Sequence, residues 1–180
     1  MSILITILLI LGGIIALLLL VAAFMSKAHY VKREVIINAP RQKVYDFVKL
    51  LKNQERFNKW AQADAERSWI FKGTDGTVGF IISWNGDKSV GEGEKEIMKL
   101  VGGERVETQI RFVRPFVNTA DIVMEMKSLS PDQTNVSWSN AGTLMYPLNI
   151  MIPVFLKNFA RDMDESLVML KNILENNQGA

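Results

Sequence analysis

The sequence predicts an α+β protein in which a curved antiparallel sheet of about seven strands wraps a long C-terminal helix, preceded by one transmembrane helix. Three patterns predict this architecture. An uncharged apolar segment comes first, alternating segments with recognisable turns follow, and an apolar stripe at helical spacing comes last. A sheet with one apolar face and a helix with one apolar stripe must cover each other to exclude water.

The amino-terminal segment has the length of a membrane span. Every charged side chain lies at Lys27 or later, and residues 3–24 are 22 residues without a charge. As a helix this segment spans about 33 Å, enough to cross a hydrocarbon core of about 30 Å. We therefore expect a transmembrane anchor at residues 1–26, which contacts the lipid bilayer through residues 3–24, and one domain at residues 27–180.

A cleavable signal peptide is the alternative interpretation of this segment. Such peptides have a basic region before a shorter apolar core of roughly 7–15 residues. Nothing basic precedes Ile3 except the terminal amine, although Ser26-Lys27-Ala28 loosely resembles a cleavage site. For an anchor, the positive-inside rule predicts a cytoplasmic domain and an outer amino terminus. The basic residues behind this prediction are Lys27, Lys32, Arg33, Arg41 and Lys43.

The composition excludes several kinds of site. With no cysteine, the chain has no disulfide scaffold, thiolate zinc site or cysteine nucleophile. The single histidine, His29, precludes a multi-histidine metal site, and we expect it to be an interfacial residue at the membrane boundary, before the domain. A net charge of +2 gives no reason to expect nucleic acid. No motif indicates a cofactor, a metal or a set of catalytic residues, and no pattern indicates an oligomeric state.

The elements of the domain follow one another as a strand, a pair of helices, six strands and a long helix. The segment Val31–Ile37 alternates as a strand, and Asn38-Ala39-Pro40 indicates the start of a helix. Residues 53–67 are a short helix or a loop with apolar anchors at Phe57 and Trp60. From residue 69 to residue 144 turn residues separate strands, and helical spacing begins after Pro147.

Two glycine turns allow the register of three strands to be predicted. A two-residue turn at Asn85-Gly86 pairs Ile82 with Ser89, and a turn at Gly102-Gly103 pairs Lys95 with Ile110. Because paired residues share a face, both turns predict the same inner face. That face comprises Phe80, Ile82, Trp84, Gly91, Gly93, Ile97, Ile110 and Phe112. The glutamates and Arg111 fall on the opposite, solvated face, and Gly91 and Gly93 are expected to make room for Phe80 and Phe112 or to let the sheet bend.

The sequence resembles the START-like, helix-grip proteins of the SRPBCC superfamily, which includes polyketide cyclases, dehydratases and lipid-transport domains. The resemblance covers roughly residues 30–176 and is closest to the subgroup with an amino-terminal membrane helix. The residues that carry it are Val35-Ile36-Ile37-Asn38-Ala39-Pro40, Val44-Tyr45-Asp46-Phe47-Val48, Phe57-Asn58-Lys59-Trp60, Gly91-Glu92-Gly93 and Val136-Ser137-Trp138-Ser139. The resemblance implies a hydrophobic cavity between the sheet and the terminal helix, which in relatives receives lipids, sterols, hormones or polyketides.

We expect the residues of the inner face and of the helix stripe to form the wall of this cavity. Lys95 stands out because an ammonium on an apolar face is costly unless it is paired, and it could bind an anionic group. A bulge near Gly93, or a lysine that reaches the cavity rim, would instead leave Lys95 without a ligand. The candidates are Phe80, Ile82, Trp84, Lys95, Thr108, Ile110, Phe112, Met124, Trp138, Asn140, Phe155, Phe159 and Met163.

Three functions are compatible with this sequence. The first is membrane-tethered binding of a small hydrophobic molecule, a lipid or a polyketide-like compound, in the internal cavity. The second is a cyclase- or dehydratase-like activity on a polyketide-type substrate, with Lys95, Tyr45 or a buried carboxylate in place of the missing histidine. The third is an interaction module at the membrane whose cavity is closed by large side chains.

Overall fold

The structure is a computed structural model that describes residues 2–62, 67–88 and 90–176. Among these residues the helices are α1 (Ile3–Phe24), α2 (Arg41–Val48), α3 (Leu51–Gln54) and α4 (Ile152–Asn176), with a 3₁₀ turn (Leu148–Met151) before α4. The strands are β1 (Ala28–Ile37), β2 (Ser68–Lys72), β3 (Ile81–Asn85), β4 (Glu92–Val101), β5 (Arg105–Arg114), β6 (Asn118–Ser130) and β7 (Gln133–Thr143).

The seven strands form one curved antiparallel sheet in the order β1-β7-β6-β5-β4-β3-β2. The chain goes from β1 at one edge through the two short helices to β2 at the other edge, and hairpins then lead back to β7 beside β1. This confirms the predicted α+β class and the order of elements. The main core lies between the inner face of the sheet, α2 and α4.

The stripe of α4 is buried because its apolar residues recur every three or four positions and so lie on one side of the helix. The buried members of the helix are Ile152, Ala160, Met163, Ser166, Leu167, Leu170 and Leu174. The helix packs against β1 and the core of the sheet, while its acidic residues pair outside the core. There Lys59 Nζ lies 2.8 Å from Asp162 Oδ1 and 2.5 Å from Glu165 Oε2.

The predicted register of β4 and β5 is confirmed. Lys95 pairs with Ile110, and Ile97 pairs with Thr108. The turn itself contains three residues, Gly102 to Glu104, rather than two, and the register shifts between Ile97 and Lys99. One extra residue in the turn and one extra residue in β4 compensate for each other, so the pairs farther from the turn are as predicted.

The predicted register of β3 and β4 is wrong. Trp84 pairs with Gly93 and Ile82 pairs with Lys95, because the connection spans residues 86–91 instead of a two-residue turn at Asn85-Gly86. Gly91, which has a φ of +71° and a buried backbone, closes this loop. Each β3 residue pairs with a β4 residue an even number of positions away from the predicted partner. Because side chains alternate between faces, the predicted inner face of β3 is still correct.

The solvated face of the sheet carries a network of charged residues. Arg111 donates hydrogen bonds to Glu94 Oε1 at 2.7 Å and to Glu96 Oε2 at 2.5 Å. On the inner face, Gly93 makes room for Trp84 rather than for Phe80 or Phe112. A Cβ atom at Gly93 would lie 2.7 Å from Trp84 Cζ2 and 2.6 Å from the carbonyl oxygen of Arg111.

Helix α1 projects from the domain and is exposed along almost its whole length, with Ala22 as its one buried residue. Its mean hydropathy reaches 3.2 over 18 residues, so it is long and apolar enough to cross a membrane, as a signal sequence also can be. The last turn is fixed to the domain by Asn149, whose Nδ2 donates to the carbonyl oxygens of Ala22 at 2.7 Å and Met25 at 3.0 Å. Asn149 thereby donates to carbonyl groups at the end of α1, which have no backbone N–H four residues later within the helix.

Candidate functional site

A cavity of about 350 Å³ lies between the inner face of the sheet and α4. It occupies the half of the domain nearest α1, which we call the proximal end. At this end of the sheet lie the start of β1 at Ala28, the β3–β4 loop, the β5–β6 loop and the end of β7 at Thr143. The cavity reaches the surface here, because Pro115, Phe116 and Phe155 line it and are exposed.

Aromatic side chains make up much of the cavity wall. All four tryptophans of the chain line it: Trp60, Trp69, Trp84 and Trp138. The ring of Phe159 stacks on Trp60 with a centroid separation of 4.7 Å and on Phe155 at 5.1 Å. Trp138, only 3% exposed, meets the edge of Trp60 at 6.1 Å. Rigid rings of this kind give a wall that accepts apolar molecules without large side-chain rearrangement.

Most of the candidates from the sequence come together around this cavity. Those that line it are Ile82, Trp84, Lys95, Ile110, Phe112, Trp138, Asn140, Phe155 and Phe159. They come from β3, β4, β5, β7 and α4, so the cavity forms only when the whole sheet is assembled on the helix.

Four other candidates are on the predicted face but do not line the cavity, and their prediction as wall residues is corrected. Phe80 packs in a separate core cluster with Leu51, Ile82 and Ile97. Met124 and Met163 lie in the main core, and Thr108 is buried opposite Ile97. Thr108 and Met124 pair with the wall residues Ile122 and Trp138, so they lie beside the cavity with their own side chains buried.

The expectation for His29 is also wrong. It lies within β1, is buried, and lines the cavity instead of standing outside the domain. Its Nε2 is 3.3 Å from Asn140 Oδ1, and its ring meets Phe155 edge-on with centroids 5.7 Å apart. The strand begins at Ala28, one residue after the first charge, so His29 already pairs with Gly142 of β7.

Sequence reasoning missed the wall residues that precede β2. Glu55, Asn58, Ala61 and Arg67 line the cavity and come from a segment without helical or strand periodicity. Within this segment Arg67 donates to Glu55 Oε2 at 2.8 Å, and its guanidinium lies 4.0 Å from the ring centroid of Trp69. Both charges belong to one largely buried ion pair at the cavity wall.

Lys95 is the most strongly perturbed charged group of the cavity. It is 5% exposed, and its Nζ donates to Oε1 of Gln54 at 2.5 Å. Burial lowers the pKa of Lys95 to about 8, against the opposing attraction of the Glu55 carboxylate. Burial likewise raises the pKa of Glu55, while the charges of Lys95 and Arg67 counteract that rise. Among the described residues, no ion pair joins Lys95 to a carboxylate.

Several buried polar atoms of the wall have no hydrogen-bond partner among the described residues. They are the Nδ1 of His29 and the Nε1 atoms of Trp84 and Trp138. A buried donor or acceptor without a partner costs roughly 1–3 kcal/mol. The cavity therefore combines apolar walls with a few polar groups that a bound molecule could satisfy, which is the usual composition of a ligand site.

The described residues offer no group of three His, Asp or Glu side chains that could hold a metal ion. The chemistry available around the cavity is that of one buried amine, one ion pair, an imidazole and amide groups.

No protein-family model and no curated protein sequence matches this chain. Solved structures do match it. Norcoclaurine synthase from Thalictrum flavum, in complex with dopamine and hydroxybenzaldehyde, is 12% identical with a TM-score of 0.62, over 86% of this chain and 91% of that chain. The Aha1 dimer from Colwellia psychrerythraea is 17% identical with a TM-score of 0.58, over 84% of this chain and 99% of that chain.

A third match is a protein from Chromobacterium violaceum, 16% identical with a TM-score of 0.58, over 81% of this chain and 96% of that chain. This chain has the helix-grip fold. In this fold a curved sheet packs around a long helix, and the cavity lies between these two layers. At such low identities the likeness establishes the architecture alone, and the residues of the cavity have to be interpreted from their own chemistry.

Proposed function

We propose that this protein is a membrane-tethered binding protein for a small hydrophobic molecule, which it holds in the cavity between the sheet and α4. The observation that carries the proposal is the cavity itself, about 350 Å³ in volume and walled by all four tryptophans. Ligand pockets have volumes of roughly 300–1,000 Å³, and burial of apolar surface contributes about 25 cal/mol per Å².

The polar groups of the wall support a ligand with one polar end. The Lys95 ammonium has a neutral hydrogen-bond partner in Gln54, so a bound carboxylate or similar anion would supply the missing negative charge. The Glu55 carboxylate also attracts the Lys95 ammonium and so weakens its preference for an anionic ligand. It does not abolish that preference, because Glu55 is paired with Arg67. We propose a molecule with an apolar body and an acidic end as the favoured ligand class.

Norcoclaurine synthase, which shares the fold, was solved with dopamine and hydroxybenzaldehyde bound. That precedent supports the use of this architecture for small molecules. It does not transfer the ligand, since the two chains are 12% identical.

The tether in this proposal is α1, inserted as a single span with the domain on the cytoplasmic side. Support comes from the 22 uncharged residues of α1, their exposure, and the basic residues that follow them. Asn149 supports a permanent anchor rather than a cleaved leader, because it is buried and hydrogen-bonded to the last turn of α1.

Tryptophan fluorescence provides the test, since every tryptophan of the chain is in the cavity wall. The full chain, held in an amphipathic polymer, would be titrated with 11-bromoundecanoic acid, whose bromine quenches nearby indoles. Ala120→Leu fills the cavity from β6, and Ala141→Leu makes the same change on the opposite face of β7. We expect saturable quenching for the wild type and Ala141→Leu, and its loss in Ala120→Leu. Equal quenching of all three would contradict cavity binding.

A second candidate function, catalysis on a polyketide-type substrate, is favoured by one observation. Burial gives Lys95 a pKa of about 8, so a substantial fraction of this amine is neutral near physiological pH and can accept a proton or act as a nucleophile. The discriminating measurement compares molecules extracted from the wild type and from Lys95→Met after expression. Chemically different molecules would support catalysis, whereas the same molecule in different amounts would support binding.

A further inference from the structure

The proximal end of the domain carries a rim of exposed apolar side chains around the cavity mouth. Its members, which we call the apolar rim, are Val113, Phe116, Val117, Met145, Tyr146 and Met151. Val117 is 83% exposed and Met145 is 65% exposed, and neighbouring Phe116 also lines the cavity. Large apolar residues exposed together usually mark an interaction surface.

The opposite end of the sheet is different in character. Its connections are the β2–β3 connection at residues 73–80, the Gly102–Glu104 turn, the Ser130–Gln133 turn and the Asn38–Pro40 segment that leads into α2. Val78 is the one large apolar side chain that is exposed among the described residues of these connections. These connections consist mainly of glycine, proline and polar residues. The apolar rim is therefore a property of one end of the domain and not of its loops in general.

The apolar rim lies beside the end of α1. Only residues 25–27 separate α1 from β1, a link that reaches at most about 10 Å. The backbone N–H of Leu144 donates to the carbonyl oxygen of Lys27 at 2.8 Å, directly before Met145 and Tyr146 of the rim. Asn149, between Tyr146 and Met151, holds the carbonyl oxygen of Ala22. These contacts fix residues 145–151 of the rim next to the point where α1 meets the domain. The pairing of Ala120 with Gly142 brings the β5–β6 loop, with Phe116 and Val117, to the same end of the sheet.

We propose that the apolar rim lies in the interfacial layer of the same bilayer that holds α1, so that the cavity opens onto lipid. The ligand would then be an amphiphile dissolved in that membrane, which enters the cavity without crossing water. This inference rests on the proposed anchoring of α1 and adds the orientation of the domain and the entry route.

A bilayer is the occupant favoured by the structure because the rim is continuous with an exposed apolar helix. An anchored α1 places its carboxyl end at the membrane surface, and the short link together with the Asn149 contacts prevents the rim from moving far away. Amphipathic rings and aliphatic side chains at such a position bind lipid interfaces through burial of apolar area.

The absence of cysteine in the sequence allows single labels to be introduced at chosen depths. The full chain would carry an environment-sensitive fluorophore at one of four substituted positions: Val117→Cys or Met145→Cys in the rim, Asp132→Cys at the opposite end, and Ile14→Cys within α1. Each variant would be reconstituted in phosphatidylcholine–phosphatidylglycerol vesicles. Quenching by nitroxide-labelled lipid and by aqueous iodide would then be compared.

We expect nitroxide lipid to quench the labels at positions 117, 145 and 14 at least threefold more strongly than iodide does. We expect iodide to quench the label at position 132 at least threefold more strongly than nitroxide lipid does. If the label at 14 is in lipid but those at 117 and 145 behave like the label at 132, the orientation is wrong and the anchoring stands. If the label at 14 is outside lipid, the anchoring fails and the inference fails with it. Labels at 117 and 145 protected from both quenchers would overturn the bilayer as occupant and indicate that a second copy of this chain, the only other protein in the vesicles, covers the rim.

Discussion

The buried ammonium of Lys95 donates a hydrogen bond to the side-chain carbonyl of Gln54, a neutral partner supplied by the end of α3. The pairing brings together a strand residue on the inner face of the sheet and a short helix that precedes β2. It leaves a charged group at the cavity wall compensated only at a distance, by Glu55.

The first prediction concerns stability against pH. Lys95 has a pKa of about 8 in the folded chain and 10.5 as its ordinary value. Between these pH values the unfolded chain binds more protons than the folded chain, so the Lys95 contribution to the free energy of unfolding rises with pH. The difference between the two pKa values corresponds to roughly 3 kcal/mol. Denaturant unfolding followed by circular dichroism at pH 7 and pH 10.5 measures this.

The comparison needs variants, because other groups also titrate in this range. Relative to Lys95→Met, the wild type should gain about 3 kcal/mol from pH 7 to pH 10.5. Lys99→Met, at an exposed position of the same strand, should keep the pH dependence of the wild type. Parallel stability curves for the wild type and Lys95→Met would show that Lys95 is not a desolvated amine.

The second prediction concerns ligand charge. 11-Bromoundecanoic acid should bind more tightly than its methyl ester at pH 7, because the carboxylate can pair with the Lys95 ammonium. Above pH 8 the free protein loses this charge, and the affinity for the acid should fall by up to about tenfold per pH unit while that for the ester stays constant. Lys95→Met should remove the preference for the acid. An acid-to-ester ratio independent of both pH and residue 95 would refute a role for Lys95 in binding.

The third prediction concerns the cavity wall. Trp138 is almost fully buried and meets Phe57 and Trp60 edge-to-face at 6.2 and 6.1 Å. Trp138→Ala should cost about 3–5 kcal/mol of stability, because it enlarges a cavity that its neighbours cannot close. Trp138→Phe, which keeps an aromatic ring, should cost clearly less. Thermal and chemical unfolding measure both losses, and a loss below about 1 kcal/mol for the alanine variant would place Trp138 outside the core.

The fourth prediction concerns Gly93. Its missing side chain lets Trp84 lie across β4, and an added Cβ would meet both that ring and the carbonyl oxygen of Arg111. Gly93→Ala should therefore destabilise the fold by about 1–3 kcal/mol and displace the Trp84 ring. Gly102→Ala is the matched control, since open space surrounds that position and its φ is not positive. Similar free energies of unfolding for both variants would mean that the Trp84 ring can move away from an added Cβ without destabilising the fold.

The sequence predicts which face of each strand is buried better than it predicts where a residue lies along the strand. The period of two fixes the face, so the sequence predicts correctly that Lys95 and Trp84 face inward, although the loop before β4 is longer than expected. Position along the strand depends on what packs beneath the sheet. Thr108 and Met124 are inward and pair with the wall residues Ile122 and Trp138, yet their own side chains are buried in the packing and do not line the cavity.

The wall residues that the sequence does not predict were missed for a different reason, which is that no local pattern marks them. His29 precedes the recognisable alternation of β1, and Glu55 and Arg67 belong to a connection without periodicity. Their positions are set by long-range contacts, such as His29 with Asn140 and Lys59 with Asp162, which local patterns do not encode. A lone histidine beside an apolar leader gives no signal that distinguishes the membrane boundary from a cavity wall.

Native mass spectrometry of the full chain, released from lipid nanodiscs and followed by organic extraction, tests the central claim most directly. The wild type and Ala141→Leu should each carry one small hydrophobic molecule per chain, and Ala120→Leu, whose cavity is filled, should carry none. Bilayer lipids that adhere to α1 would be common to all three proteins and are therefore accounted for. Identical spectra for all three proteins, with no molecule specific to the open cavity, would contradict the proposal that this cavity binds a ligand.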